Sequence, residues 1–170
     1  MSIHGGATVP AVPAVDPAVA WLARAGDAEH AARLMIAFRN WFGRDDPDDD
    51  LVREGIRRLI VQGEGEFMLG ARSAGGAPEG VCQLRYRWSV WQAGPECALE
   101  DLFVVEDARG SGLGAVLVEA ALARARERRC RRVELDVSEA NGPARRLYER
   151  FGFASGRPRE GPDLLMRLRL

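Results

Sequence analysis

An apolar run, Leu99-Glu100-Asp101-Leu102-Phe103-Val104-Val105, passes through Glu106-Asp107-Ala108-Arg109 into Gly110-Ser111-Gly112-Leu113-Gly114. A helical pattern follows, with Leu113, Val116, Leu117 and Ala120 on one face. This succession of strand, glycine loop and helix restricts the fold more than any other stretch, because it brings main-chain N–H groups and the positive end of a helix to one point. Glycine lets a ligand approach those groups closely, so the loop suits phosphate. A glycine turn before a helix is also an ordinary tight turn, and the loop by itself leaves both uses open. The lysine and the serine or threonine of a Walker loop are absent, and glycines at positions 110, 112 and 114 lack the dinucleotide spacing. Nucleotide hydrolysis and dinucleotide binding therefore lose ground.

The flanking segments predict the rest of the sheet. Residues 19–24 read as a first strand, and Asp27 as the N-cap of a helix with Ala31, Leu34, Met35 and Phe38 at helical spacing, fading near Gly43. Asp46-Pro47-Asp48-Asp49 starts a second helix running to about residue 62, with proline at the first helical position and acids at the positive dipole end. Strands follow at 67–72 and 81–88, joined by a turn at 73–79, and a third at 97–105 after Gly94-Pro95. Beyond the loop come a helix at 112–129, a strand at 132–137, a helix at 142–151 and a last strand around 164–168. The sum is a mixed α/β fold, one sheet with helices on both faces. Pro10, Pro13, Pro17 and Gly5-Gly6 make residues 1–17 a flexible arm, leaving 18–170 as one domain.

Charge and cysteine usage narrow the function. A net charge of -1 gives no global attraction to nucleic acid, and the local run Arg124, Arg126, Arg128, Arg129, Arg131, Arg132 reads as a solvated helix end. With 46% apolar and 29% charged residues, no spanning run and no signal-type segment, the expectation is a cytoplasmic protein without a membrane partner. Cys82, Cys97 and Cys130 lack metal-ligand spacing, so reduced thiols and no metal are expected. All 24 basic residues are arginine, which leaves the folded chain no side-chain amine of its own to acylate.

Arg109-Gly110-Ser111-Gly112-Leu113-Gly114 resembles the acyl-CoA pyrophosphate loop of the GNAT family of N-acetyltransferases. A second segment, Asn141-Gly142-Pro143-Ala144-Arg145-Arg146-Leu147-Tyr148-Glu149-Arg150-Phe151-Gly152-Phe153, resembles that family's Asn-x-x-Ala-x-x-Leu-Tyr-x-x-x-Gly-Phe stretch, in the expected order. The resemblance implies the family's fold, a mostly antiparallel sheet splayed at the cofactor site, and acetyl-CoA as co-substrate. It implies that Arg109, Gly110, Ser111, Gly112, Leu113 and Gly114 bind the pyrophosphate. The strands holding 102–105 and 133–137 would part, so that the pantetheine arm joins as an added strand. Phe103 and Val105 would then hold it through their main chain, or Leu102 and Val104 if a bulge shifts the face count. Asn141 reads independently as a helix N-cap, and the family adds a cofactor contact to it. By periodicity Tyr148 is a core aromatic beside Ala144, Leu147 and Phe151; the resemblance makes it the proton donor to the departing CoA thiolate.

Glu100 is the candidate general base, since an ammonium group must lose a proton before it attacks a thioester. Its Glu-Asp-apolar-Phe-Val setting resembles polyamine acetyltransferases, where the glutamate has that task, while Asp101 is expected on the opposite face; a solvent-facing strand acid fits Glu100 equally. The expected reaction is direct attack of an amine in a ternary complex, with no cysteine intermediate. In the family's fold the first two helices and their connecting loop roof the acceptor site. Here that loop carries Asp45, Asp46, Asp48, Asp49 and Asp50, and Tyr86, Trp88 and Trp91 offer ring faces to a cation. A cationic small-molecule amine is the expected acceptor. A protein amine and a non-catalytic acyl-CoA-binding role stand as alternatives, and the family resemblance extends to homodimers.

Overall fold

The computed structural model describes residues 17–155. Its backbone divides into two compact units, one ending at Leu135 and the other beginning at Asp136. Apart from Pro17, the expected arm lies outside the described residues, as does the strand expected at 164–168.

The first unit is built on five strands, β1 Val19–Leu22, β2 Glu66–Ala71, β3 Gly80–Ser89, β4 Gly94–Val104 and β5 Arg132–Glu134, paired in sequence order. All neighbours are antiparallel except β4 and β5, which run parallel. Helices α1 Ala28–Trp41 and α2 Asp49–Gln62 cover one face, and Ala31, Ala32, Leu34 and Ile56 form a core with Phe67, Leu69, Val81 and Phe103. Helix α3 Leu113–Glu127 covers the other. A Cβ on Gly70 would come within 2.9 Å of Leu113, and one on Gly80 within 2.7 Å of Leu117, so the glycines let α3 settle directly on the strands. The sheet is thus buried on both sides, and β2 reads as a continuous apolar run after Glu66 because neither face is left to water.

Element ends depart from expectation where side chains decide them. Helix α2 starts at Asp49, because the Asp48 carboxylate accepts the Leu51 N–H at 2.9 Å and leaves Pro47 outside the helix. Asp27 does not cap α1 through its side chain. It closes a 3-10 turn, Ala25–Asp27, and its carboxylate takes the Arg24 N–H at 2.9 Å. Strand β4 begins at Gly94, three residues earlier than expected, because the hairpin with β3 stays paired to Ser89↔Gly94. No helix of the described residues is long and apolar enough to cross a membrane.

Glu66 ties α3 to the sheet. Its carboxylate accepts from Arg124 at 2.7 and 2.9 Å, from the Tyr86 hydroxyl at 2.8 Å and from Arg128 at 3.1 Å. Burial works against its charge, but the hydrogen bonds from Arg124, Tyr86 and Arg128 outweigh that and hold the carboxyl below the usual range. A depressed folded-state pKa gives stability that is complete above the unfolded value, about 4.3, and is lost as pH falls through the lower folded value. Glu66→Gln is therefore expected to cost about 1–3 kcal/mol at neutral pH, and its gap from the unaltered chain should close in acid. Urea unfolding across a pH series checks this; a gap that does not narrow would remove the charge from the account.

Candidate active site

The glycine loop is a preformed cradle. Ala108 ends a short 3-10 turn, the Ser111 hydroxyl donates to the Ala108 carbonyl at 2.7 Å, and the chain enters α3 at Gly112. Gly110 and Gly112 hold φ of +80° and +88°, and a Cβ at either would meet nothing within 4 Å. The left-handed backbone explains glycine at both positions, and the space beside them is open. The N–H groups of Gly110, Ser111, Gly112 and Gly114 find no acceptor among the described residues. Four such donors at the positive end of a 15-residue helix suit an anion. Arg109 frames it: the guanidinium lies over the rings of Trp41 and Phe103, at 5.3 and 5.9 Å, while Nε donates to the Val104 carbonyl at 3.1 Å.

Strand β4 leads from this cradle along an edge that is open among the described residues. Its ladder with β5 holds only Glu96↔Arg132, Cys97↔Val133 and Ala98↔Glu134, because β5 ends at Glu134 instead of the expected 137. The Val105 N–H donates to Glu79 on the β3 side at 2.9 Å. Alternation along an antiparallel ladder then directs Phe103 and Val105 to β3 and turns the main-chain groups of Leu102 and Val104 to the open side. Of the two pairs the sequence offered, Leu102 and Val104 are the ones facing the gap.

A β-bulge explains the shift and carries the acids. Gln83 pairs with Asp101 but Leu84 pairs with Leu99, so Glu100 is an extra residue in β4. The expectation that Asp101 points away from Glu100 is overturned. Asp101 shares a face with its partner Gln83, and the Gln83 side-chain amide donates to Glu100 Oε2 at 2.8 Å. Both carboxylates thus stand with Gln83 on the face covered by α1 and α2. Burial, followed by the charge of Glu100, pushes the Asp101 carboxyl above the usual range.

The second unit contains α4, Gly142–Arg150. Asn141 caps it, Oδ1 accepting the Ala144 N–H at 3.2 Å, and Pro143 sits in the first turn as expected. The helix ends in a Schellman turn: the Phe153 N–H reaches the Tyr148 carbonyl at 3.2 Å, the Gly152 N–H reaches Glu149 at 3.0 Å, and Gly152 has φ +86°. The buried Tyr148 ring meets Phe153 edge-on at 5.8 Å, the apolar contact that accompanies such turns. The Tyr-x-x-x-Gly-Phe spacing therefore has a local cause, which fixes the ring whatever chemistry the hydroxyl performs.

A sequence model of the Acetyltransferase (GNAT) family matches residues 29–153. The chain belongs to the GNAT family. It is 31% identical over 141 residues to a thialysine N-epsilon-acetyltransferase of Bos taurus, covering 76% of this chain and 80% of the relative. It is 39% identical over 85 residues to a mycothiol acetyltransferase of Corynebacterium aurimucosum, but that match spans 48% of this chain and only 28% of the longer relative. A solved structure from Arthrobacter sp. FB24, assigned to the acetyltransferases, superposes with a TM-score of 0.74 at 27% identity, over 98% of this chain and 99% of that one.

In this GNAT chain the thiols are not activated. Burial first, then neighbouring groups, pushes Cys82 up strongly and Cys97 to about 12, and Cys130 is also raised. None is a ready thiolate. Tyr86 is committed elsewhere, its hydroxyl to Glu66 and its ring under the Arg128 guanidinium at 4.2 Å, so it does not form the cation cradle expected with Trp88 and Trp91. Trp88 and Trp91 are exposed at the β3–β4 hairpin. The ring faces nearer the cradle are Phe38, Trp41 and Phe42 of the α1 end, with Phe38 5.2 Å from Phe103. Of these the sequence singles out only Phe38, as an apolar helix position, and Trp41 and Phe42 were missed. Gln83 was missed as well, and only the pairing of β3 with β4 reveals it.

Proposed function

We propose that this chain transfers the acetyl group of acetyl-CoA to the primary amine of a cationic small molecule, by direct attack in a ternary complex. The observation that carries the reading is one run of chain in the first unit, with N–H groups at the start of α3 and a β4 edge that lack partners among the described residues, and two carboxylates at the β4 bulge. The N–H groups of Gly110, Ser111, Gly112 and Gly114, with Leu113 opening the helix and Arg109 beside them, suit the pyrophosphate. Leu102 and Val104 present main-chain partners to the pantetheine amides, with Phe103 and Val105 packing behind them. The family resemblance adds Asn141 to the proposed cofactor-binding residues. A carboxylate of the Glu100–Asp101 pair takes a proton from the ammonium, the freed nitrogen forms the C–N bond as the C–S bond breaks, Tyr148 protonates the thiolate, and the second proton lost by the nitrogen restores the Tyr148 hydroxyl. Unactivated thiols support direct attack over an acetyl-cysteine route.

A cationic acceptor follows from charge. Asp45, Asp46, Asp48, Asp49 and Asp50 are all exposed in the α1–α2 loop and helix start. Asp49 is paired with Arg39 at 2.7 Å, Asp50 with Arg53 at 3.3 Å, and Asp48 caps α2, which leaves Asp45 and Asp46 the freest to attract a cation. The relative that acts on thialysine, itself a cationic amine, supports the same class. Steady-state assays over polyamines, aminoglycosides, basic amino acids and neutral amines, followed by CoA thiol release, test it. The acceptor KM is expected to rise by about 3- to 10-fold between low and high salt as attraction is screened. Equal efficiency with neutral amines would return the aspartates to capping and surface roles.

A further inference from the structure

The bulge that brings Glu100 and Asp101 together also makes them unlike. Glu100 is exposed, and one of its oxygens is already held by the side-chain amide of Gln83, which is only 7% exposed and anchored in the sheet. Asp101 is half-buried on a shorter stem, directly opposite Gln83. We propose that Asp101, and not Glu100, takes the proton from the acceptor amine, and that Glu100 is a positioning residue that acts through Asp101. This rests on the acetyl-transfer reading above and names which member of the pair does the work.

The surroundings of Asp101 favour it as the base. From β3 it faces the neutral amide of Gln83, and beyond that, in β2, lies Phe67. Helix α1 packs on this end of β4 through Phe38 against Phe103, two residues along the same face. Among these neighbours Glu100 is the charged one, so a negative charge and a poorly solvated setting act on Asp101 together. Both favour holding a proton, and its carboxyl is accordingly raised by burial and then by Glu100. A base whose pKa moves towards working pH accepts a proton more effectively than a solvated acid. The balance is simple. The ammonium gives one proton to Asp101, the C–N bond forms as the C–S bond breaks, the second nitrogen proton ends on the CoA sulfur, and Asp101 returns its proton to solvent.

The test is kcat/KM against pH with acetyl-CoA and whichever polyamine, aminoglycoside or basic amino acid the chain acetylates fastest. Asp101→Asn is expected to lower kcat/KM at neutral pH about tenfold and to erase the enzyme's acidic limb, leaving a rate that follows the free amine. Glu100→Gln is expected to keep that limb but move it to lower pH, since removing a neighbouring negative charge makes Asp101 a stronger acid. A limb lost in Glu100→Gln and kept in Asp101→Asn overturns the proposal. Should Asp101→Asn fail to fold, Glu100→Gln decides alone: a displaced limb supports Asp101 and a vanished one does not. An unaltered chain that acetylates no amine removes the acetyl-transfer reading and this inference together, whereas an active chain whose limb belongs to Glu100 removes only the inference.

Discussion

Gly112→Val is expected to abolish the thermal shift that acetyl-CoA gives the unaltered chain. A ligand at a hundred times its Kd stabilises the native state by about 2.7 kcal/mol, which for a chain of this size is a rise of roughly 5–10 °C. Gly112 has φ +88°, and its Cβ would meet no atom of the protein within 4 Å. A valine there pushes into the space beside the free N–H groups, where the pyrophosphate would lie. The left-handed backbone adds a cost of at least about 1–2 kcal/mol with or without ligand. Gly63→Val separates the two effects, because Gly63 ends α2 at φ +69° with equally open space and no place in the cradle. Both variants should melt lower than the parent, and only Gly63→Val should keep the acetyl-CoA shift. A shift that survives in Gly112→Val would take the loop out of the binding site.

Tyr148→Phe is expected to lower turnover on the order of 100-fold while acetyl-CoA affinity stays within a factor of about two. Phenylalanine keeps the ring that meets Phe153 at 5.8 Å, and the Schellman turn depends on the Tyr148 carbonyl, which the substitution leaves in place. Stability should therefore change by no more than about 1.5 kcal/mol, the usual net worth of one hydrogen bond. Steady-state rates measured beside a thermal melt check it. Unchanged turnover with an unchanged melt would make Tyr148 a core aromatic and nothing more, as its periodicity first suggested.

Which parts of the molecule were legible in advance follows from the range of the forces involved. The cradle, the α4 cap and the α4 end are local devices. Asn141 bonds three residues ahead, Gly152 turns the chain after Tyr148, and Gly110 and Gly112 supply positive φ, so residue type at fixed offsets determines each. Element order and type were equally legible, since the apolar periods change from helix to strand at Gly63, and from strand to helix at the Gly110–Gly114 loop and again before Asn141.

Only the tertiary structure decided the rest. Whether Glu100 and Asp101 share a face depends on one extra residue in β4 relative to β3, and a bulge is a property of the pairing that the period of either strand alone does not record. The same slip selects Leu102 and Val104 for the open edge. Tyr86 looked available to a substrate until the sheet set it against Glu66 and Arg128, 20 and 42 positions away in the chain. The sequence by itself determined that this chain is an α/β member of the GNAT family with a glycine loop opening α3, because those signals are short-range. Which carboxylates share a face, which strand amides stand at the β4 edge and which aromatic rings lie beside the glycine loop was decided by long-range strand register, where a single residue's displacement reverses every side chain.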